Sequence, residues 1–328
     1  MANSITSNFF KRQEFFLAGL VIVLCIIIST VNKDFFSIDN VLDIISNYSM
    51  LGILACGLVI VLISGGIDIS FPATTATCQY LMGIYMLHHN VGFISIFAVS
   101  IIVGIALGIL NGLIIYYTKV PSIIITIATM NIFYGFLIYF SDGDWLYNFP
   151  DWFMNGINLI PVKVQGYTDY LITLPILSVV AVFLFSYIFM NKTRLGRQIF
   201  AVGSNAESAQ RLGISIRKVY LYVYGYMGAL SGIAAVSQAQ IAQSVAPNSM
   251  FGYELTVLAA VVIGGASIQG GKGTILGTLL GVILIAVIDN GLTLLGVSSY
   301  WHSVITGLII IISIIVTAMH NKKSRSLV

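Results

Sequence analysis

Long apolar runs separated by short polar segments dominate the chain. Runs of about 17 to 25 residues match the length of a helix that crosses a bilayer. They predict spans near 15–31, 44–63, 71–88, 93–117, 122–140, 169–190, 219–242, 253–266, 274–294 and 302–319. The run at 253–266 is short and indicates a broken or re-entrant helix. The pattern predicts an all-α membrane protein of about ten transmembrane helices, with both termini on the same side.

Composition agrees with this pattern. Of 328 residues, 58% are hydrophobic and only 8% are charged, whereas about a quarter are charged in a typical soluble domain. So few charges cannot cover a water-exposed surface, and lipid must therefore be the solvent for most of the chain. We predict one transmembrane domain over 1–328. The three cysteines and four histidines follow no disulfide or metal-ligand spacing, so we expect no bound metal.

The positions of the cations predict the orientation. With the N-terminus inside, thirteen of the fifteen Lys and Arg residues fall in inner segments, as the positive-inside rule requires. Both termini are then cytoplasmic. The largest periplasmic loop runs over 141–168. Its aromatic residues Trp145, Tyr147 and Trp152 indicate either a contact with an extracytoplasmic partner or an interfacial aromatic cap.

The longest charged interruption, at 191–218, predicts a cytoplasmic loop with a short helix from Asn205 to Leu212. Ser204 and Glu207 have the spacing of a capping box. Arg211 suits the negative end of a helix dipole, and Gly213 can adopt the left-handed conformation that ends a helix. Such a helix between two membrane spans indicates a docking surface for a soluble partner. The alternative is an ordinary loop that keeps its cations inside.

Polar side chains within apolar runs are candidates for a solute path, because burial in lipid is costly for them. The alternative role is hydrogen bonding between helices. The principal candidates are Thr74, Gln79, Asn111, Thr126, Asn131, Gln238 and Asn290, and the wider set adds Thr75, Gln240 and Gln243. Asp68, Glu254 and Asp289 stand near span ends, and we expect them to be structural.

Other function classes find weaker support. An ion-coupled carrier needs acids at the membrane midplane, which the positions of these three acids disfavour. A hydrolase built on Ser231 and His302 lacks the required glycine spacing. A phosphate loop at Lys272 is excluded, since Gly273 stands where Ser or Thr is needed. We therefore expect no catalytic residue and no bound cofactor. NGLTLLGVSS (290–299) is weakly similar to NGLIIYYTKV (111–120), and an inverted repeat of the two halves of the chain is one interpretation of this similarity.

Five separated motifs resemble one family in order and spacing. They are GGIDIS (65–70), RLGRQIFAVGSNAESAQRLGI (194–214), YELTVLAAVVIGGASIQGGKGTILGTLLG (253–281), DNGLTLLGV (289–297) and TGLIIII (306–312). The chain resembles permease subunits of bacterial ABC importers for monosaccharides of the ribose, xylose and galactose class. GGIDISF and YTKV also resemble permeases for a furanosyl autoinducer. The chain departs from the pattern at Phe71 and Pro72, and at Ser204, where the family usually has glycine.

The resemblance implies three partners: a cytoplasmic ATPase that holds ATP and Mg²⁺, an extracytoplasmic sugar-binding protein, and a second permease in a homodimer or heterodimer. It implies a pore subunit without catalytic residues. It also implies that the short helix is the coupling helix that rests on the ATPase. The coupling residues are then Arg194, Gly196, Arg197, Ser204, Asn205, Glu207, Arg211, Leu212 and Gly213.

The charge distribution predicts a measurable topology. Reporter fusions after Lys192 and after Lys323 should both report cytoplasm, and a fusion within 145–165 should report the outside. A cytoplasmic signal from a fusion at Trp152 would refute this orientation.

Overall fold

A computed structural model describes residues 13–154, 158–162 and 170–298, and then 300–302, 304–305, 307–308 and 311. Most of the predicted span at 302–319 therefore lies outside the described residues. The helices are α1 (Gln13–Val31), α2 (Ile38–Asn47), α3 (Ser49–Ile63), α4 (Phe71–His88), α5 (Phe93–Thr118), α6 (Ser122–Ser141), α7 (Asp151–Met154), α8 (Leu174–Lys192), α9 (Arg194–Ser204), α10 (Ala206–Arg211), α11 (Ile216–Ala242), α12 (Tyr253–Ile263) and α13 (Ile275–Leu294), with a 3-10 helix at Lys33–Phe36.

Six of the described helices are long and apolar enough to cross a membrane: α1, α5, α6, α8, α11 and α13. A seventh span results if α2 and α3 are counted together, although the pair bends by 48°. The predicted run at 44–63 is therefore a bent pair of helices, and 253–266 contains the 11-residue α12. Helix α4 has 18 residues but contains Thr74, Thr75 and Gln79. The prediction of about ten spans is neither confirmed nor excluded.

Helices α5 and α11 form the centre of the fold through direct backbone contact. A Cβ on Gly104 would overlap the Gly228 carbonyl, and a Cβ on Gly228 would overlap that of Gly104. The same holds for Gly108 against the Tyr224 carbonyl. Ser100 Oγ donates to the Gly232 carbonyl at 2.8 Å. Small residues let the two backbones approach closely, which is how helices associate where lipid removes the hydrophobic drive.

Two helices end in matching turns. At the end of α3, Gly65 has φ +86°, and the Gly66 N–H donates to the Val61 carbonyl at 3.2 Å. At the end of α12, Gly265 has φ +94°, and the next N–H, that of Ala266, donates to the Val261 carbonyl at 3.2 Å. These are glycine-terminated Schellman ends. The two turns are close together, because a Cβ on Gly273 would lie 3.0 Å from the Ile63 side chain and 3.3 Å from that of Ala266.

We call α3–α4 and α12–α13 the interrupted helices, because an irregular segment separates the two helices of each pair. Their first halves, α3 and α12, therefore end at the same face of the bundle. The similar segments at 111–120 and 290–299 fall on α5 and α13, which do not correspond to these two turns. The inverted repeat stays a prediction.

The segment 141–168 contains regular structure in its described residues. Asn158–Val162 form β1, which pairs antiparallel with β2 (Tyr170–Thr173), just beyond the segment. The fold is thus mostly helical, and this strand pair departs from the all-α prediction. The predicted span at 169–190 was assigned from apolarity alone. Its first residues pair with β1, and the helix begins at Leu174, where Pro175 occupies a first-turn position that tolerates a missing N–H.

In the first half of the segment 141–168, part of the chain packs inward. Phe149 and Phe153 are buried, whereas Trp145 and Tyr147 are exposed. Leu146 and Val245 exchange two backbone hydrogen bonds of 2.9 Å, which attach the segment to the chain just after α11.

The glycine contacts predict that glycine-to-alanine substitution between α5 and α11 lowers the stability of the bundle, although it normally raises the stability of a helix. Glycine to alanine normally gains up to about 1 kcal/mol in a helix interior. Gly228→Ala should instead lose roughly 1–3 kcal/mol through overpacking, because its Cβ overlaps the Gly104 carbonyl. The control is Gly135→Ala in α6, where a Cβ would meet nothing within 4 Å. Thermal unfolding in detergent should show a lower Tm for Gly228→Ala alone. Equal or higher Tm values in both variants would refute the close contact.

Candidate functional site

The charged stretch folds as two consecutive helices rather than one. Helix α9 begins after Thr193, whose Oγ1 accepts the Gly196 N–H at 3.0 Å. It buries Gly196, Ile199 and Val202 and exposes Arg194 and Arg197. The sequence analysis treated Arg194 and Arg197 as a loop that precedes the helix, and this is corrected. The spacing of three between the buried positions was the helical signal that it missed.

Helix α10 begins one residue later than predicted. Ser204 is the last residue of α9, and its Oγ donates back to the Phe200 carbonyl at 2.9 Å. Its backbone is already helical, so it cannot act as an N-cap, and the predicted capping box of Ser204 and Glu207 is wrong. Asn205 is extended, with φ −162° and ψ 105°, and its Oδ1 accepts the Ser208 N–H at 2.8 Å. Gly213 has φ +82° and ends this region as predicted.

The C-terminal end of α10 is exposed to solvent. Leu212 is 80% exposed, although it is a large hydrophobic residue. Arg211 and Glu207 form an i,i+4 pair at 4.0 Å, with 81% and 87% of their side chains exposed. A pair so exposed contributes at most about 1 kcal/mol. On the opposite side of α10, Ala209 is buried, and its carbonyl accepts the Ile214 N–H at 3.1 Å. The helix is thus anchored on one side and free on the other.

A cavity of about 740 Å³ lies between α10, the connection from α5 to α6, and the first turns of α11. The turn at Gly65 and Gly66 forms another wall. Half of its lining residues are polar or aromatic, among them Tyr116, Tyr117, Lys119, Gln210, Tyr220 and Tyr224. The cavity therefore separates the end of α3 from the exposed helix α10.

The segment 64–70 between α3 and α4 has no regular structure, and neighbouring hydroxyls bind its backbone. Ser122 Oγ accepts the Ile67 N–H at 2.8 Å. Thr126 Oγ1 accepts the Ile69 N–H and donates to the Ile67 carbonyl, both at 3.2 Å. These bonds supply partners that buried backbone groups would otherwise lack. The sequence predicted a role for Thr126 but not for Ser122, because it does not show which side chains lie beside the irregular segment between α3 and α4.

Asp68 lies in the same segment and is 3% exposed. Its Oδ1 accepts the Ser70 N–H at 2.7 Å and the Ser70 hydroxyl at 2.6 Å. Asn111 Nδ2 in turn donates to Ser70 Oγ at 2.7 Å. Asp68 thus has the structural setting that the sequence analysis expected. Of the predicted path residues, the structure brings Asn111 and Thr126 together around this segment.

Of the other predicted path residues, Thr74 adjoins this cluster, because its N–H donates to the Ser70 carbonyl at 3.0 Å, whereas Asn290 and Asn131 have partners elsewhere. Asn290 in α13 exchanges amide hydrogen bonds of 2.8 and 3.1 Å with Asn40 in α2. Asn131 is exposed on α6, with its Nδ2 bound to the Ile127 carbonyl at 2.8 Å. Thr74 is buried, and Gln238 is half-buried.

Two buried glutamines keep unused hydrogen-bonding capacity. Gln79 Nε2 donates to the Ala235 carbonyl at 3.3 Å, but its Oε1 has no hydrogen-bond partner within the described part of the chain. Neither amide atom of Gln240 has one either. Asn111 Oδ1 has no partner in the described residues either. Each unmet buried polar atom costs roughly 1–3 kcal/mol, so these three positions are the strongest candidates for contact with water or a polar solute.

The corrected cap predicts which substitution weakens α10. Asn205→Ala should cost about 1 kcal/mol of local helix stability, the usual value for a lost N-cap. Ser204→Ala should be close to neutral for α10, because its hydroxyl bonds within α9. Hydrogen exchange of the amides of 207–211, compared between the two variants, measures the difference. Faster exchange in Ser204→Ala than in Asn205→Ala would restore the cap that the sequence suggested.

Comparison with known proteins agrees with this architecture. Residues 40–314 match the family model described as branched-chain amino acid transport system / permease component. The ribose import permease protein RbsC of Haemophilus influenzae is 32% identical over 96% of this chain and 97% of its own length. The corresponding protein of Bacillus subtilis is 33% identical over 92% and 91%. An autoinducer 2 import system permease of Photorhabdus laumondii is 29% identical over 90% and 86%.

None of the solved structures matches this chain. The family model spans most of the 328 residues, and the relatives align over nearly their full length. The chain is therefore a multi-pass membrane protein that belongs to this family of transport-system permeases.

Proposed function

We propose that this chain is the membrane-spanning pore subunit of an ATP-driven importer that moves a monosaccharide of the ribose, xylose and galactose class into the bacterial cytoplasm. Two ribose import permeases at about one-third identity support this choice of solute. The furanosyl autoinducer is the alternative, supported by the relative at 29% identity. Uptake of ribose, xylose, galactose and the autoinducer into the same vesicles distinguishes these solutes.

The proposed assembly needs three further proteins. A cytoplasmic ATPase supplies ATP hydrolysis with its own Mg²⁺, so this chain is not itself an enzyme. A periplasmic or lipid-anchored binding protein delivers the sugar, and a second permease completes the pore in the inner membrane. An ion-coupled carrier is less well supported, because the buried acid Asp68 already accepts two hydrogen bonds from Ser70.

The observation that supports ATPase coupling is the exposed tip of α10. A hydrophobic side chain that is 80% exposed, as Leu212 is, offers a surface for another protein to bury. The flanking Glu207 and Arg211 remain largely solvated and can form contacts across an interface. Arg194 and Arg197 extend the exposed, positively charged surface along α9. We assign ATPase docking to this set of residues.

Truncating Leu212 should therefore weaken the complex. Leu212→Ala removes most of a side chain whose full burial is worth about 1.5–3 kcal/mol, which corresponds to roughly a 10- to 100-fold rise in Kd. The matched control is Leu295→Ala. Leu295 is the C-cap residue of α13, outside the α9–α10 region, and is 44% exposed. Co-purification with the ATPase and sugar uptake in vesicles should both fall for Leu212→Ala only. Wild-type ATPase binding by Leu212→Ala would remove the main support for this docking surface.

A further inference from the structure

Three segments of the chain meet in backbone contact at Gly203, in the last turn of α9. A Cβ on Gly203 would overlap the carbonyl oxygen of Ile63, the last residue of α3. A Cβ on Gly270, in the loop between α12 and α13, would lie 2.6 Å from the Gly203 oxygen and 2.7 Å from Gly65 Cα. We call this contact of Gly65, Gly203, Gly270 and Gly271 the glycine junction.

The junction is closed by a hydrogen bond as well as by packing. Gly271 N–H donates to the Ile63 carbonyl at 2.9 Å, so the loop before α13 is attached directly to the end of α3. A Cβ on Gly271 would lie 2.6 Å from Ser204 Oγ, which places the end of α9 against the same loop. No pair of these segments can be separated without a loss of backbone contact.

The junction is also continuous with α10. Only Asn205 separates the two helices α9 and α10. Its N–H donates to the Ala201 carbonyl at 3.1 Å and completes α9, while its carbonyl accepts the Ala209 N–H at 3.0 Å and begins α10. One residue thus belongs to the hydrogen-bond ladders of both helices. A displacement of α10 must therefore displace Gly203.

Helix propensity alone does not explain a glycine at this position. Glycine within a helix is less favourable than alanine by about 1 kcal/mol, and φ at Gly203 is not positive, so no left-handed turn requires it. The steric overlap with Ile63 does explain it. Because it has no Cβ, Gly203 lets α9 lie close to the ends of the two interrupted helices.

We infer that Gly203 is a positioning residue that transmits displacement of α10 to the ends of both interrupted helices, α3 and the α12–α13 pair. The inference rests on the proposed function, in which an ATPase moves α10. Because the Gly65–Gly66 turn leads directly into the segment held by Ser122 and Thr126, displacement at the junction reaches the interior of the bundle. Docking and transmission are then separate: Leu212 binds the ATPase, and Gly203 passes the motion on.

The test is Gly203→Ala in the complete importer reconstituted in vesicles with its ATPase and binding protein. The added Cβ should push α9 away from Ile63 while Leu212 stays exposed. ATPase co-purification and ATP hydrolysis should remain, whereas sugar imported per ATP hydrolysed should fall roughly 5- to 150-fold, the range of ordinary coupling energies. Gly135→Ala, with open space around its Cβ, should leave this ratio unchanged.

The outcomes separate the two claims. If the wild-type chain neither binds an ATPase nor imports sugar in its presence, the proposed function fails. If the wild-type importer works and Gly203→Ala imports as much sugar per ATP, the inference about the junction is overturned.

A second measurement decides the matter if Gly203→Ala does not assemble. Spin labels on Ser204→Cys and Lys272→Cys, both at exposed positions, report the distance across the junction in the assembled importer. The same distance distribution with and without a non-hydrolysable ATP analogue is expected, because the junction moves as a unit. A shift on nucleotide binding would overturn the inference.

Discussion

Close backbone contact between glycines is the constraint on which this structure depends. Within a membrane the hydrophobic effect does not drive helices together, so van der Waals contact and hydrogen bonds between helices must stabilise the bundle. Gly104, Gly108 and Gly228 let α5 and α11 approach until each backbone touches the other. The junction around Gly203 uses the same means at the end of the bundle. A glycine chosen for contact with a neighbouring backbone cannot be replaced by even the smallest side chain, which makes these positions sensitive to substitution.

The same environment explains the polar residues inside the apolar runs. A chain that leaves helical structure within the bundle exposes N–H and C=O groups that no water can satisfy. The hydroxyls of Ser122 and Thr126 bind the backbone of the interrupted segment, and Asn111 binds Ser70 beside Asp68. Polarity in these spans therefore has a structural cause before it has a functional one. The two interpretations offered by the sequence, solute path and interhelical hydrogen bonding, are separated by asking which donors and acceptors are already in use.

Sequence reasoning located the long helices because apolar length alone determines them. The predicted runs 93–117 and 274–294 agree with α5 and α13 to within one residue at each end. Gly213 was also predicted correctly, since a left-handed helix end favours glycine. The N-cap was misplaced because Ser204 and Asn205 are both good caps, and only the continuation of α9 through Ser204 decides between them. An apolar count contains neither the backbone pairing of β1 with β2 nor the 48° bend between α2 and α3.

Solute choice must come from groups that the fold leaves unused. Thr126 directs its hydroxyl to the segment 65–70, so it has little left with which to distinguish one sugar from another. Asn111 binds Ser70 through Nδ2, but its Oδ1 is buried without a partner in the described residues. Gln79 and Gln240 likewise have buried amide atoms without a partner in the described residues. A site built to bond a hydroxyl rejects a solute that lacks it, since the buried amide is then left unpaired. We therefore expect discrimination between a pentose and the furanosyl autoinducer to depend on these two glutamines of α4 and α11 and on Asn111 Oδ1, more than on Asp68 and Thr126, whose hydrogen bonds are already made.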